Sequence, residues 1–223
     1  MGDTRPDEVL PARNLETIKS VRYFVVENLR SARRFLKSVD RDICIDDLNM
    51  VELNEHTPAA DVEAMLDPLA AGHDIGVISE AGCPAVADPG ADLVAAAQRR
   101  GYEVMPLVGP SSIIMSLMAS GFNGQSFAFV GYLPVEASRR AAAMKTMQQE
   151  IRSRRRTQIF IETPYRNNRL IDELTRTLPG DMLLCVASDI TGPQQQIVTL
   201  PLSQWRARTY DYNKRPTIFL LYS

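Results

Sequence analysis

The 223-residue sequence predicts an α/β protein of two domains. Three observations carry that expectation. Short apolar runs of strand length, such as YFVV (Tyr23–Val26) and IGVI (Ile75–Ile78), alternate with amphipathic helical stretches. Loops rich in glycine and proline follow directly after such runs, and residue order and charge both change near residue 110. Buried strands separated by helices imply parallel pairing in a sheet covered on both faces. In sheets of this kind ligands bind beyond the carboxyl ends of the strands.

Taken in order, residues 15–20 read as helix, Tyr23–Val26 as a buried strand and 31–38 as helix again. Apolar Val62, Met65, Leu66 and Leu69 recur at helical spacing across 61–71, and Gly72 closes that helix before the strand Ile75–Ile78. A helix over 92–100, closed by Gly101, leads into a predicted strand at 104–108. Beyond Gly109-Pro110 the pattern predicts a helix at 111–119, a strand at 127–130 and a long charged helix at 138–154. A strand at 158–161, a helix at 168–177 stopped by Pro179-Gly180, and strands at 182–187, 197–200 and 217–222 complete the chain. The boundary falls at residue 110, giving an N-terminal domain 1–110 and a C-terminal domain 111–223.

Composition narrows the function classes. A hydrophobic fraction of 45% and a charged fraction of 23% are those of an ordinary globular protein. No apolar run approaches the roughly 20 residues that span a bilayer. The first residues, MGDTRPDEVLPARN, have no hydrophobic signal core and include acidic side chains, so a cytoplasmic location is expected. Cys44, Cys83 and Cys185 are scattered and odd in number, and His56 and His73 are the only histidines, so neither disulfides nor a metal site are expected. Charge is unevenly shared: residues 1–130 carry 11 Lys+Arg against 19 Asp+Glu, and residues 131–223 carry 14 against 8. A basic C-terminal half attracts a polyanion even when the whole chain is acidic.

Several cofactor signatures are missing. There is no GxxxxGK[ST] loop for nucleotide phosphates, no GxGxxG after a strand and no GxSxG elbow. What stands out is ISEAGCPAVADPG, residues 78–90, between a strand and a helix. Its glycines let backbone approach a ligand, and its prolines stiffen the loop without adding donors. Asp88, followed by Pro89-Gly90, reads as the cap of the next helix.

ISEAGCPAVADPG, then VMPLVGPSSIIMSLMASG, FAFVGYLP and IETPYR, in this order, resemble the tetrapyrrole methylase (class III S-adenosylmethionine-dependent methyltransferase) superfamily. Within it the chain is most similar to the branch that methylates a ribose 2′-hydroxyl of small-subunit ribosomal RNA. The resemblance covers residues 2–178 and extends to YFVVENLRSARRFLK upstream. It implies two α/β domains, S-adenosylmethionine (SAM) in a cleft between them, and a homodimer. Matched to the family's motifs, Ser79, Ala81, Gly82, Cys83, Pro84 and Val86 form the cofactor loop. Ser111 and Ser112, Tyr132 (with Leu133 and Pro134), Ile161, Pro216 and Thr217 are the further implied SAM contacts. Glu27, Glu80 and Glu162 are the candidate general bases, and His56 matches a polar patch of the branch. Arg139, Arg140, Arg166 and Arg169 are the candidate RNA contacts.

Two departures accompany the resemblance. Gly2-Asp3 match the end of the family's first turn, so the family's first N-domain strand is expected to be missing here. ASDITGPQQQ, residues 187–196, replaces a charged segment of the family. The function expected is methyl transfer from SAM to ribosomal RNA, with the small ribosomal subunit as partner. Methylation of a tetrapyrrole or another small molecule, and a catalytically silent RNA-binding relative, are the alternatives.

Overall fold

Burial on both faces of Tyr23–Val26 (β1) sets up the N-terminal part of the fold, seen here in a computed structural model that describes residues 4–54, 56–80 and 82–223. Val25 packs with Leu53, Val62, Leu66, Leu93 and Ala96 on one face. Phe24 and Val26 pack with Ala32 and Leu36 on the other, because successive strand side chains point to opposite faces. Contacts divide the chain into one unit over 4–111 and another over 112–223.

In the first unit, α1 (Pro6–Val9) and α2 (Ala12–Ser20) precede β1. Then come α3 (Leu29–Val39), β2 (Asn49–Glu52), α4 (Ala59–Ala64), α5 (Asp67–Ala70), β3 (Ile75–Ile78) and α6 (Ala91–Arg99). The three strands lie in the order β2-β1-β3 and are all parallel, with Val26 level with both Glu52 and Ile78. Helix α3 starts where it does because the Asn28 side chain accepts from the Arg30 and Ser31 amides at 3.0 Å.

Three expectations change here. The single helix over 61–71 is two, α4 and α5, and Pro68 in the first turn of α5 lacks the N–H that continuation of α4 would need. The predicted strand at 104–108 forms no ladder. Pro106 removes one donor from it, and Met105 and Val108 are 61% and 73% exposed. The Val108 carbonyl accepts instead from Asn14 Nδ2 of α2 at 2.6 Å. β3 therefore pairs with β1 alone, and no strand precedes β1 among the described residues. Gly2-Asp3, matched to the family's first turn, lie outside the described residues. The third change is β2 itself, where NMVE carries too little apolar alternation to be read as a strand.

The second unit runs α7 (Ser112–Ser120), β4 (Phe127–Tyr132), α8 (Ala137–Arg154), β5 (Thr157–Ile161), α9 (Asn167–Thr177), β6 (Leu183–Ser188), β7 (Gln196–Pro201), α10 (Leu202–Ala207) and β8 (Thr217–Tyr222). Its sheet has the order β4-β5-β8-β6-β7, with β4 parallel to β5 and every other pair antiparallel. Phe160, Leu184, Val186 and Phe219 face α8, α9 and α10. Ile159, Cys185, Ile218 and Leu220 face α7. Helix α10 was not legible as an element, yet its Trp205 is fully buried and donates Nε1–H to the Leu184 carbonyl at 2.9 Å.

Gly76 in β3 carries a packing constraint. A Cβ there would lie 2.7 Å from Cδ1 and Cε1 of Phe24, a ring buried to 3% exposure. Gly76→Val is expected to destabilise the protein by about 1–3 kcal/mol, the cost typical of overpacking. An unchanged urea midpoint for that variant would contradict this packing.

Candidate functional site

The parallel register of β1, β2 and β3 ends all three strands at one level, so the residues that follow them meet. Glu27 continues β1, and its amide donates to the Ile78 carbonyl at 3.0 Å. The Leu53 amide donates to the Val26 carbonyl at 2.8 Å. Glu27 Oε2 accepts the Glu80 amide at 2.8 Å, tying the end of β1 to the loop after β3. A charge-assisted bond of this kind is stronger than a neutral one.

The loop after β3 is held in an unusual backbone shape. Gly82 has φ +98° and Gly90 +127°, while Ala85 and Ala87 both sit at +65°, a region costly for a residue with a Cβ. The Ala85 amide donates to the Pro89 carbonyl at 3.2 Å and the Val86 amide to Cys83 at 3.1 Å. Cys83 Sγ lies 3.7 Å from the Pro110 carbonyl. A Cβ at Gly82 would meet nothing within 4 Å, so this turn opens onto space that a ligand can enter. Ser79, Pro84 and Val86 belong to the same loop, with Val86 half exposed; Ala81, the remaining expected contact, lies outside the described residues.

A cavity of about 760 Å³ lies at this end of the sheet, lined by Glu27, Glu52, His56, Glu80, Asp88 and their neighbours. Its size suits a drug-sized or nucleotide-sized ligand. Two of the three expected carboxylates, Glu27 and Glu80, face it, as does His56. Asp88 is not the cap that the sequence suggests. Gly90 caps α6, and no side chain bonds the first amides of that helix. The Asp88 side chain turns inward instead, where its Oδ2 and Ser79 Oγ are both buried and the hydroxyl lies close enough to stabilise the carboxylate. Burial pushes the Asp88 carboxyl above the ordinary carboxylate range; the nearby Ser79 hydroxyl offsets this in part, and the charges of Glu27 and Glu80 add to it.

In the second unit, register brings expected cofactor residues together. Tyr132 at the end of β4 pairs with Ile161 at the end of β5, and Ile161 pairs with Ile218, next to Thr217. Thr217 is buried, and its Oγ1 accepts from Asn167 Nδ2 at 3.1 Å. Asn167, which nothing in the sequence marks, is wholly buried, also donates to the Tyr212 and Arg215 carbonyls, and leaves its Oδ1 without a partner. Pro216 is exposed, and its carbonyl accepts from the Asp189 amide at 2.9 Å. Ser112 is half-buried at the start of α7, and Ser111 is half-buried at the end of the first unit.

Other expected residues are engaged elsewhere. Glu162 is 8% exposed, and its Oε1 accepts Arg166 Nη2 and the Thr163 amide, both at 2.6 Å. A carboxylate held by a guanidinium is a poor general base, and the same pairing occupies Arg166. Arg140 is 7% exposed, with Nε on both Glu173 oxygens and Nη1 on the Pro134 and Val135 carbonyls. Its role is to hold the turn before α8 to α9, and it is spent as a phosphate contact. Arg139 is exposed and paired with Glu136 at 3.0 Å, and Arg169 is exposed on α9. Among the described residues, no cluster of three or more His, Cys, Asp or Glu could hold a metal.

Comparison with known proteins bears on this arrangement. The sequence model of the tetrapyrrole (corrin/porphyrin) methylases matches residues 7–205. The chain belongs to that family. It is 29% identical to the ribosomal RNA small subunit methyltransferase I of Vibrio cholerae serotype O1, over 94% of this chain and 71% of that one. It is 28% identical to the protein of the same name from Halalkalibacterium halodurans, over 83% and 61%. For the one from Mycobacterium tuberculosis the identity is 31%, over 77% and 58%. The chain thus spans between 58 and 71% of the length of these relatives. Among solved structures, the methyltransferase CobJ matches with a TM-score of 0.64 at 16% identity, covering 97% of this chain and 89% of that one. Uroporphyrin-III C-methyltransferase from Thermus thermophilus, complexed with S-adenyl homocysteine, matches with 0.55 at 16%, over 97% and 92%. These structural likenesses establish the tetrapyrrole methylase fold.

The buried Asp88 carboxyl has a consequence for stability. Its folded-state value is raised, so its proton is held more tightly in the folded protein, and the carboxyl costs stability as pH rises through that value. Asp88→Asn is expected to melt at a higher temperature than wild type at neutral pH, with the gain shrinking towards about pH 4, the ordinary carboxylate range. Thermal unfolding at both pH values checks this; an equal or lower midpoint at neutral pH would contradict the burial.

Proposed function

We propose that this chain is a SAM-dependent methyltransferase that methylates a ribose 2′-hydroxyl of small-subunit ribosomal RNA in the cytoplasm. The observation that carries the reading is the loop at 78–90, whose Glu80, Ala87, Asp88, Pro89 and Gly90 line the cavity at the strand ends and whose Gly82 has open space beside its Cα. The relatives of the ribosomal RNA small subunit methyltransferase I group, matched over most of the chain, support the substrate.

SAM, when bound, supplies a methyl group already activated on a sulfonium, so the protein's work is alignment and proton handling. Gly82, Cys83, Pro84 and Val86 are the proposed neighbours of SAM in the first unit, with Ser79 and Ser111 beside them. Ser112, Tyr132, Ile161, Pro216 and Thr217 are the proposed neighbours in the second. Gly82 fits this role because its φ of +98° and the empty space beside its Cα let backbone approach a ligand closely. A carboxylate at the strand ends takes the proton of the acceptor hydroxyl; Glu27 and Glu80 line the cavity, whereas Glu162 is tied to Arg166.

Charge separates the substrate readings. The cavity is lined by carboxylates, which repel a polycarboxylate tetrapyrrole as much as a phosphate. RNA can present an uncharged ribose to such a cavity while its phosphates lie on arginines elsewhere. Arg139 and Arg169 are the proposed phosphate contacts of the second unit, whose residues from 131 onward carry a net positive charge. A homodimer would cover exposed apolar side chains such as Met118, at 79%, and Val130, at 42%.

Mapping ribose methylation in small-subunit rRNA from cells with and without the gene tests the reading. One 2′-O-methyl nucleotide is expected to vanish in the deletion; an unchanged map would overturn the substrate. Gly82→Val should abolish calorimetric SAM binding with the circular dichroism spectrum retained. Unchanged affinity would remove the loop from the cofactor site.

A further inference from the structure

We infer that Tyr165 is a platform on which an unpaired base of the RNA stacks, with the neighbouring phosphates on Lys214, Arg215 and Arg169. The inference rests on the proposed RNA substrate and adds where that RNA is held.

Tyr165 is the most exposed aromatic side chain among the described residues, at 76%. Tyr23, Tyr210, Tyr212 and Tyr222 each meet another ring, whereas Tyr165 meets none among the described residues. A single exposed apolar side chain is common on protein surfaces. This one differs in how firmly its turn is held. Arg166 bonds back to Glu162 at 2.6 Å and to Thr163 Oγ1 at 3.0 Å, and the Lys214 amide donates to the Pro164 carbonyl at 2.9 Å. Two asparagines then clasp the facing segment. Asn167 Nδ2 donates to the Tyr212 and Arg215 carbonyls, and Asn168 Oδ1 accepts the Tyr212 amide at 2.8 Å. A ring presented on a turn already fixed loses little freedom when it is covered.

The charges around the turn select the partner. Lys214 is exposed at the residue bonded to Pro164, Arg215 follows it, and Arg169 is exposed four residues beyond Tyr165 on α9. Two carboxylates share this end, and both are occupied. Glu162 is paired with Arg166, and Asp211 Oδ1 accepts from Asn168 Nδ2 and the Asn213 amide, each at 3.1 Å. A bare aromatic face among cations suits a single-stranded nucleic acid, since every base offers a face to stack and every nucleotide a phosphate. The place suits the reaction too. Tyr165 follows the end of β5 and Lys214 precedes β8, where Ile161 pairs with Ile218 beside the proposed SAM neighbour Thr217.

Filter binding to small-subunit rRNA, purified from cells lacking the gene, tests the assignment across a salt series. Wild type, Tyr165→Ala, Tyr165→Phe and Lys214→Gln are compared, with calorimetric SAM affinity and sedimentation mass measured for each. Tyr165→Ala is expected to weaken binding about 10-fold or more, with the salt dependence unchanged because no charge is lost. Tyr165→Phe should bind as wild type, and Lys214→Gln should lower the slope of log affinity against log salt by about 1. SAM affinity and mass should stay at wild-type values, which also reports that the variants are folded. Tyr165→Ala binding as wild type, Tyr165→Phe binding as weakly as Tyr165→Ala, or an unchanged salt slope in Lys214→Gln overturns the assignment alone. A changed mass in Tyr165→Ala would make the ring a contact between copies of the chain and overturn it likewise. Wild type that binds no rRNA overturns the parent reading, and this assignment with it.

Discussion

The in-register parallel pairing of β1 with β2 and β3 is the constraint on which the candidate site depends. Because Val26, Glu52 and Ile78 lie level, the residues that follow the strands converge on one cavity. A slip of one residue in any strand would turn its buried set to the other face and carry Glu27 or Glu80 away from the others. Two local features hold the register. Gly76 gives Phe24 room in the sheet face, and Glu27 accepts the Glu80 amide, locking the loop to the neighbouring strand end.

Charge is divided in the same economical way. The first unit gathers carboxylates around its cavity, and the second carries most of the arginines, yet its most buried charged groups neutralise one another. Glu162 with Arg166 and Arg140 with Glu173 are pairs whose separation would leave an unmatched charge out of water. They hold turns and helices in place, whereas Arg169 on α9 is exposed. The half-buried Asp88 carboxyl has the Ser79 hydroxyl beside it instead, and burial raises it above the ordinary carboxylate range.

Much of this was legible in the sequence. β1 and β3 declare themselves through unbroken apolar runs, and ISEAGCPAVADPG announces a loop that needs unusual backbone angles, which Gly82 and Gly90 duly adopt. Other features depend on contacts that periodicity does not encode. NMVE forms β2 although only one of its side chains is even half-buried. Residues 104–108 have the apolar content of a strand, but pairing needs a neighbour as well as propensity, and Pro106 lacks a donor. Asp88 before Pro89-Gly90 fits a helix start in sequence, yet the positive φ of Ala87 and Gly90 turns its side chain inward. Arg140 reads as a surface charge on a helix, and only the fold shows Glu173 opposite it. Asn167 has no sequence signal at all, because its partners are carbonyls and a hydroxyl 45 or more positions away.

The central claim, that the loop after β3 holds the methyl donor, is tested most directly by hydrogen–deuterium exchange with and without saturating SAM. Peptides spanning residues 78–90 are expected to exchange more slowly when SAM is present, since its binding would hold the strained turn around Gly82 closed. SAM binding that leaves the exchange of those peptides unchanged, with protection appearing only elsewhere, would contradict the account.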